Sequence, residues 1–247
     1  MKYAEYIKTV EIDALWGKRK HILWHLDRHV NILSGVNGIG KSTILQKTLK
    51  QAEGVHLTLV PEDATDLRYD VIEKYTIDPD TQLAKLEKDF IAYKEKATLN
   101  FPLDPKGRLP EQELSARPKD ACKARTINFF YDFVDKLYGQ TDKTIIRDAE
   151  GIRFMQEGDI LTTRELSSGE KQMMLILLTV LLEDRQPYVL FMDEPEVSLH
   201  VDWQQQLVTI ITELNPEIQL ILTTHSPAVV MNGWLDKVTE VSEITVK

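Results

Sequence analysis

Apolar and polar positions alternate in two runs near the start of the chain, residues 6–12 and 21–25, which predicts paired antiparallel strands with one buried face. Val30, Ile32 and Leu33 then form a short apolar run ending at Ser34. A glycine-rich stretch follows, and Ile44 and Leu45 open a helical pattern over residues 42–51 that Gly54 ends. Residues 55–60 read as a strand stopped by Pro61. From there to about residue 145 the spacing is helical. Leu83, Leu86, Phe90, Ile91 and Tyr93 make one stripe over 81–93, and Ile127, Phe130, Phe133, Val134 and Leu137 make another over 119–138. A proline-punctuated loop, 100–118, lies between them. The last third alternates elements: an apolar helix at 173–182, a continuous apolar run at 188–192, a helix at 202–214 and a largely apolar run at 218–223 that reads as the next buried strand. A helix from about Pro227 and two short strands near Val238 and Ile244 follow. Continuous apolar runs are strands buried on both faces, as in parallel sheets covered by helices. The expected fold class is α/β, a mostly parallel sheet flanked by helices, with an N-terminal antiparallel β subdomain and a helical insertion. Its expected division is 1–60 with 146–247 as the sheet-bearing domain and 61–145 as the insertion.

Composition narrows the class. At 247 residues with 43% apolar and 28% charged side chains, the chain is one large domain or one domain with a sizeable insertion. No run approaches the roughly 18 apolar residues of a membrane span, and the first 13 residues carry charges too early for a secretory signal. The single cysteine, Cys122, forms no internal disulfide and suits a reducing cytoplasm, the expected location. A net charge of −9 argues against a surface that grips nucleic acid everywhere. Lys106, Arg108, Arg117, Lys119, Lys123 and Arg125 still make the loop before the second helix the best candidate for touching an anionic partner, against the commoner solvated charged face. Phe129, Phe130, Tyr131 and Phe133 fit a packed core better than a base-stacking platform. His21, His25 and His29 recur every four residues, but with no carboxylate cluster or cysteine beside them they read as strand histidines rather than metal ligands. Trp16, with Lys18 and Arg19, reads either as a nucleobase stacker with flanking charge or as a strand-end aromatic.

The glycine-rich stretch carries the chemistry. Gly35-Val-Asn37-Gly38-Ile-Gly40-Lys41-Ser42-Thr43 fits G-x-x-x-x-G-K-[ST] between a strand and a helix, which implies a P-loop NTPase. Glycines let backbone N–H groups approach phosphate oxygens, and the helix N-terminus adds partial positive charge. Lys41 can neutralise β/γ-phosphate charge, and the Ser42 hydroxyl can complete a Mg²⁺ shell. Asp193 ends the apolar run 188–192 and can hold Mg²⁺ through its waters, while Glu194 is placed to orient or deprotonate an attacking water. ATP and Mg²⁺ are the expected ligands.

In that order after the loop come Leu166-Ser-Ser-Gly-Glu-Lys-Gln172, Asp193-Glu-Pro-Glu196, Ser198-Leu-His200 and Thr224-His-Ser-Pro227. Together these resemble ATP-binding-cassette ATPases, most closely the soluble branch of RecF-like repair proteins, the overcoming-lysogenization-defect group and stand-alone ATPases of bacterial defence systems. The resemblance covers roughly residues 1–60 and 150–235 and carries nothing over 61–145. It implies two copies with ATP sandwiched between the phosphate loop of one and the signature of the other. Ser167, Ser168, Gly169 and Glu170 would then face the partner's γ-phosphate, His225 would sense that phosphate, and Ser198 to His200 would lie along the seam. The signature reads LSSGE rather than LSGGQ, and neither Gln82 nor Gln112 is assigned the family's Mg²⁺-contacting glutamine.

The implied activity is ATP hydrolysis by a homodimer that gates a separately encoded effector or a DNA-associated partner, in phage defence or DNA repair. Rival readings are a nucleotide-switched binding module with little hydrolysis and the nucleotide-binding subunit of a membrane transporter. A phosphate-loop kinase would lack the signature and His225. Ser42 and Ser167 stand 125 positions apart, too few for the long coiled-coil arm and hinge of a chromosome-organising protein. No nuclease, topoisomerase-primase or protease constellation accompanies the nucleotide motifs, so cutting would belong to another polypeptide.

Overall fold

The computed structural model describes residues 1–16, 20–74, 78–98, 122–148 and 150–246. They fall into two compact units, residues 1–76 with 185–247, and residues 77–184. The first unit begins with β1 (Tyr3–Ala4), β2 (Tyr6–Ile12), β3 (His21–His25), β4 (Val30–Ser34), α1 (Lys41–Lys50), β5 (Val55–Val60), β6 (Asp66–Leu67) and β7 (Tyr69–Ile72). The second contains α2 (Pro79–Thr98), α3 (Cys122–Tyr138), β8 (Thr144–Ile146), β9 (Arg153–Gln156), β10 (Asp159–Thr162) and α4 (Ser168–Leu182). The chain then returns to the first unit with β11 (Tyr188–Asp193), α5 (Val201–Leu214), β12 (Ile218–Thr223), α6 (Pro227–Met231), β13 (Val238–Glu240) and β14 (Thr245–Val246).

A five-stranded sheet of order β13-β4-β12-β11-β7 organises the first unit, and every neighbouring pair in it is parallel. All of β12 and all of β11 before Asp193 are buried, the physical reason for the unbroken apolar run of β11 and for a β12 that is apolar apart from Gln219 and Thr223. Parallel pairing brings the strands' carboxyl ends to one edge. Asp193 is registered with Thr223, Thr223 with Leu33, and Met192 with Ile72. A second sheet, β14-β3-β2-β5, is antiparallel, as the early alternation predicts. Ile7, Val10, Ile12, Ile22 and Trp24 from it share one core with Ile44, Leu45, Val189, Phe191 and Ile221. Each such buried side chain contributes about 1.5–3 kcal/mol relative to exposure. A buried glutamine links the sheets. Gln219 on β12 accepts from the Ile7 N–H at 2.8 Å and donates to the Ile7 and Asp27 carbonyls at 2.8 Å, where the β2–β5 register shifts between Ile7 and Thr9.

The second unit is helical around an aromatic core. Phe90 of α2 lies 5.3 Å from Phe130 and 6.1 Å edge-on to Tyr131, and Tyr138 stacks on Phe154 at 5.0 Å. Phe130 and Tyr131 are buried, in keeping with the core reading, whereas Phe129 and Phe133 are half-buried and lean on each other at 4.8 Å. Helix α4 is buried on nearly every side from Gln172 to Leu181. A small antiparallel sheet, β10-β9-β8, also belongs to this unit.

The division therefore runs differently from the expected one. Residues 61–74 contribute β7, which hydrogen-bonds along β11, so they belong with the sheet. Residues 150–184 supply β9, β10 and α4 to the second unit. The loop 100–118, with Lys106, Arg108, Arg117 and Gln112, and also Lys119, Lys18 and Arg19, lies outside the described residues. No helix among the described residues is long and apolar enough to cross a membrane.

Candidate functional site

The loop 35–40 leaves the end of β4 and delivers the chain into α1. Helix α1 starts at Lys41 after the cap residue Gly40, with no side-chain cap and no acid in its first turn, so its leading N–H groups suit an anion. Gly40 has φ +109, and a Cβ there would stand 2.9 Å from Trp16 Cζ2 and 3.0 Å from Leu15 Cδ2, so only glycine fits. Trp16, Asn37, Gly38, Lys41, Glu194 and His225 help line a pocket of about 140 Å³. Trp16 is thus brought to the loop, the placement its nucleobase reading requires.

Lys41 is buried and turned back on the loop, donating to the Gly35 carbonyl at 2.9 Å and standing 2.9 Å from His225 Nε2. Burial pulls its pKa below the ordinary lysine value, against the opposing charges of Glu194, Asp193 and Glu196. Ser42 Oγ donates to Asp193 Oδ1 at 2.8 Å, and Thr223 Oγ1 donates to the same oxygen at 2.6 Å. A hydroxyl and a carboxylate oxygen at that spacing are the hard-oxygen donor set that Mg²⁺ takes while retaining waters.

Glu194 follows β11 in a left-handed turn with φ 46, and its N–H is held by the Thr223 carbonyl and hydroxyl, each at 3.1 Å. Its buried carboxylate meets His225 Nε2 at 2.5 Å through Oε1 and ion-pairs with Lys74 through Oε2. Burial pushes its pKa up, but the Lys74 hydrogen bond and the His225, Lys74 and Lys41 charges together hold it below the ordinary glutamate value. Glu196, also buried, accepts through Oε1 from Thr224 Oγ1 at 2.6 Å, the His225 N–H at 3.0 Å and the Ser226 N–H at 3.3 Å. Gln204 of α5 donates to the Leu199 and Glu196 carbonyls at 2.9 and 3.2 Å and accepts from Ser226 Oγ at 2.6 Å. The segment 196–200 and the loop bearing His225 are thereby fastened to each other.

Of the sequence-predicted residues, Gly35, Asn37, Gly38, Gly40, Lys41, Ser42, Thr43, Asp193, Glu194 and His225 sit together at the carboxyl edge of the sheet. Ser167, Ser168, Gly169 and Glu170 belong to the second unit. There Ser167 caps α4: its Oγ accepts from the Glu170 N–H at 3.4 Å, and Glu170 Oε2 accepts from the Ser167 N–H at 2.8 Å. The Glu170 carboxylate also meets Lys143 at 3.0 Å and Thr141 Oγ1 at 2.8 Å, so it is spent inside its own unit. His200 caps α5, accepting from the Asp202 N–H at 3.4 Å.

Sequence reasoning missed Lys74, Thr223 and the work of Glu196. Only Thr223 had a readable signal, its register opposite Asp193 in the neighbouring run. Gln82 lies on α2 in the second unit. Lys123 is ion-paired with Asp184 and lies 4.9 Å over the Tyr93 ring. Against expectation, His21 does have carboxylates beside it: ligand atoms of Glu11, Asp13 and His21 lie within 4.8 Å of one another, because strand pairing brings Glu11 and Asp13 up to it.

Residues 92–232 match the family model described as "AAA domain, putative AbiEii toxin, Type IV TA system". "Retron Vc95 probable ATPase" of Vibrio cholerae serotype O1 biovar El Tor is 26% identical over 130 residues, covering 44% of this chain and 25% of that protein. The match thus spans about a quarter of that relative's length. Among solved structures, an SMC head bound to the C-winged helix domain of ScpA superposes with a TM-score of 0.58 at 12% identity, covering 92% of each chain. The SMC head domain from Thermotoga maritima gives 0.52 at 12% identity, covering 97% of this chain and 94% of that one. These likenesses are of fold, and the fold is that of a P-loop ATPase.

Proposed function

The chain belongs to this AAA-domain family, and on that premise we propose that it hydrolyses ATP, two copies closing around two ATP molecules and reopening after hydrolysis. The observation that carries this reading is the corner where Ser42 meets Asp193 at 2.8 Å beside Lys41, Glu194 and His225. Phosphoryl transfer is mostly positioning and charge stabilisation, which such a corner can supply. Ser42 and Asp193 would hold Mg²⁺, which when bound supplies charge for the β- and γ-phosphate oxygens. Lys41 and the first amides of α1 would take the phosphate tail, and Trp16 would stack on the base. Glu194 would orient or deprotonate the attacking water, and His225 would turn from Glu194 toward the γ-phosphate. Ser167, Ser168 and Gly169 of a second copy would complete the pocket at the N-terminus of α4. Glu170 would serve by fixing that helix start.

The toxin–antitoxin wording of the family and the retron name of the relative support a defence role with a separately encoded effector. A nucleotide-switched binding module with little hydrolysis is the second reading, favoured by the engagement of both Glu194 oxygens. Steady-state phosphate release with and without DNA separates the two. The ATPase reading expects Mg²⁺-dependent turnover that Lys41→Ala and Glu194→Gln abolish. A wild-type chain that binds ATP and releases no phosphate, alone or with DNA, refutes it.

A further inference from the structure

Glu194 sits between an imidazole and an ammonium that come from opposite sides. His225 follows β12, whose Thr223 is registered with Asp193. Lys74 follows β7 on the other flank of β11, where Ile72 is registered with Met192. Lys74 and Glu194 are each two residues beyond that pair, so parallel register carries them to the same height at the sheet's edge. Strand pairing therefore brings Lys74 to Glu194.

The two side chains also face different spaces. His225 lines the phosphate-loop pocket and touches Lys41, whereas Lys74 lines a separate pocket of about 230 Å³ with Leu45, Gln46, Val71, Glu73 and Asp193. Its ammonium meets the phosphate-loop pocket at the Glu194 carboxylate. An anion in that pocket would compete with Glu194 for His225 and Lys41, and would leave the Lys74 contact in place.

We propose that Lys74 is a positioning residue for the ATPase reaction: it grips one oxygen of Glu194 from outside the phosphate pocket and so aims the other at the attacking water. This deepens the ATPase reading and rests on it. Lys74 holds a buried carboxylate by one oxygen, fixing its rotation at a turn whose backbone Thr223 already fixes. Without it the carboxylate would swing, and water activation would suffer while nucleotide binding would not.

The test is steady-state ATP hydrolysis by the full chain as wild type, Lys74→Ala, Lys74→Met and Lys74→Arg, with thermal melting to confirm folding. The methionine variant keeps the stem that packs in the pocket. Both uncharged variants are expected to lose kcat by about tenfold or more with KM changed less than about threefold, and arginine to restore most of it. An unchanged or raised kcat in both uncharged variants overturns the inference. So does a raised KM at constant kcat, which would make Lys74 a substrate ligand, or an arginine variant no better than alanine. Wild-type protein without turnover sinks the ATPase reading itself, whereas active wild type indifferent to Lys74 sinks this inference alone.

Discussion

Replacing Glu170 by alanine tests how the start of α4, and with it Ser167, is built. The carboxylate is 5% exposed and faces a Lys143 ammonium that is 10% exposed at 3.0 Å. It also accepts from the Ser167 N–H and the Thr141 hydroxyl, both at 2.8 Å. Removing one partner of a buried pair leaves the other charge uncompensated and costs about 3–5 kcal/mol. Loss of a helix cap alone costs about 0.5–2 kcal/mol, and because the same carboxylate makes both sets of contacts the two figures overlap. Urea unfolding of the full chain should lower the midpoint by an amount worth about 3–5 kcal/mol at unchanged slope. The double variant Lys143→Met, Glu170→Met should recover most of it, because a packed apolar pair leaves no buried charge. The pH dependence has a fixed sign. Burial raises the Glu170 pKa, but the Ser167, Lys143 and Thr141 hydrogen bonds together hold it below the ordinary value. Its contribution is complete above the unfolded-state pKa of about 4.3 and is lost as pH falls through the lower folded value. A destabilisation below about 1 kcal/mol, the scale of an exposed pair, would refute this account of the helix start.

Trp16→Ala should weaken ATP binding by about tenfold, as expected for a lost base stack, in a fluorescent-nucleotide titration; an unchanged affinity would leave Trp16 as packing over Gly40. Glu196→Ala should lower turnover by about ten- to a hundredfold with ATP affinity nearly kept, because the backbone of His225 loses its anchor; equal losses in both would point to general unfolding of the loop. Asp193→Asn should raise the magnesium concentration needed for half-maximal hydrolysis, and an unshifted magnesium titration would remove Asp193 from the metal corner.

The glycine-rich loop was legible because a tight turn from strand into helix dictates residue type at fixed spacing: Gly40 has φ +109 and no room for a Cβ beside Trp16 and Leu15. Strands β4, β11 and β12 were legible because burial on both faces demands largely apolar runs, interrupted only where a buried side chain finds hydrogen-bond partners, as Asn31 and Gln219 do. Strand β7 was not. It is a four-residue edge strand with Tyr69 and Val71 exposed, so its sequence carries no burial pattern. Lys74 was hidden with it, since its role depends on which strand lies beside β11. Glu196 stood inside a recognised motif, but its function arises from the fold, which brings Thr224, His225 and Ser226 around one carboxylate oxygen. The segment 150–184 was misassigned because α4 is apolar all round, a pattern that says it is buried and not against what.

The claim that two copies share each nucleotide is tested most directly by sedimentation velocity of Glu194→Gln protein with ATP and Mg²⁺. A two-copy particle should form with ATP, dissolve on its removal, and fail to form when Ser167→Arg is added to the same chain. A single-copy particle at saturating ATP, in a protein that still binds the nucleotide, would contradict the shared pocket.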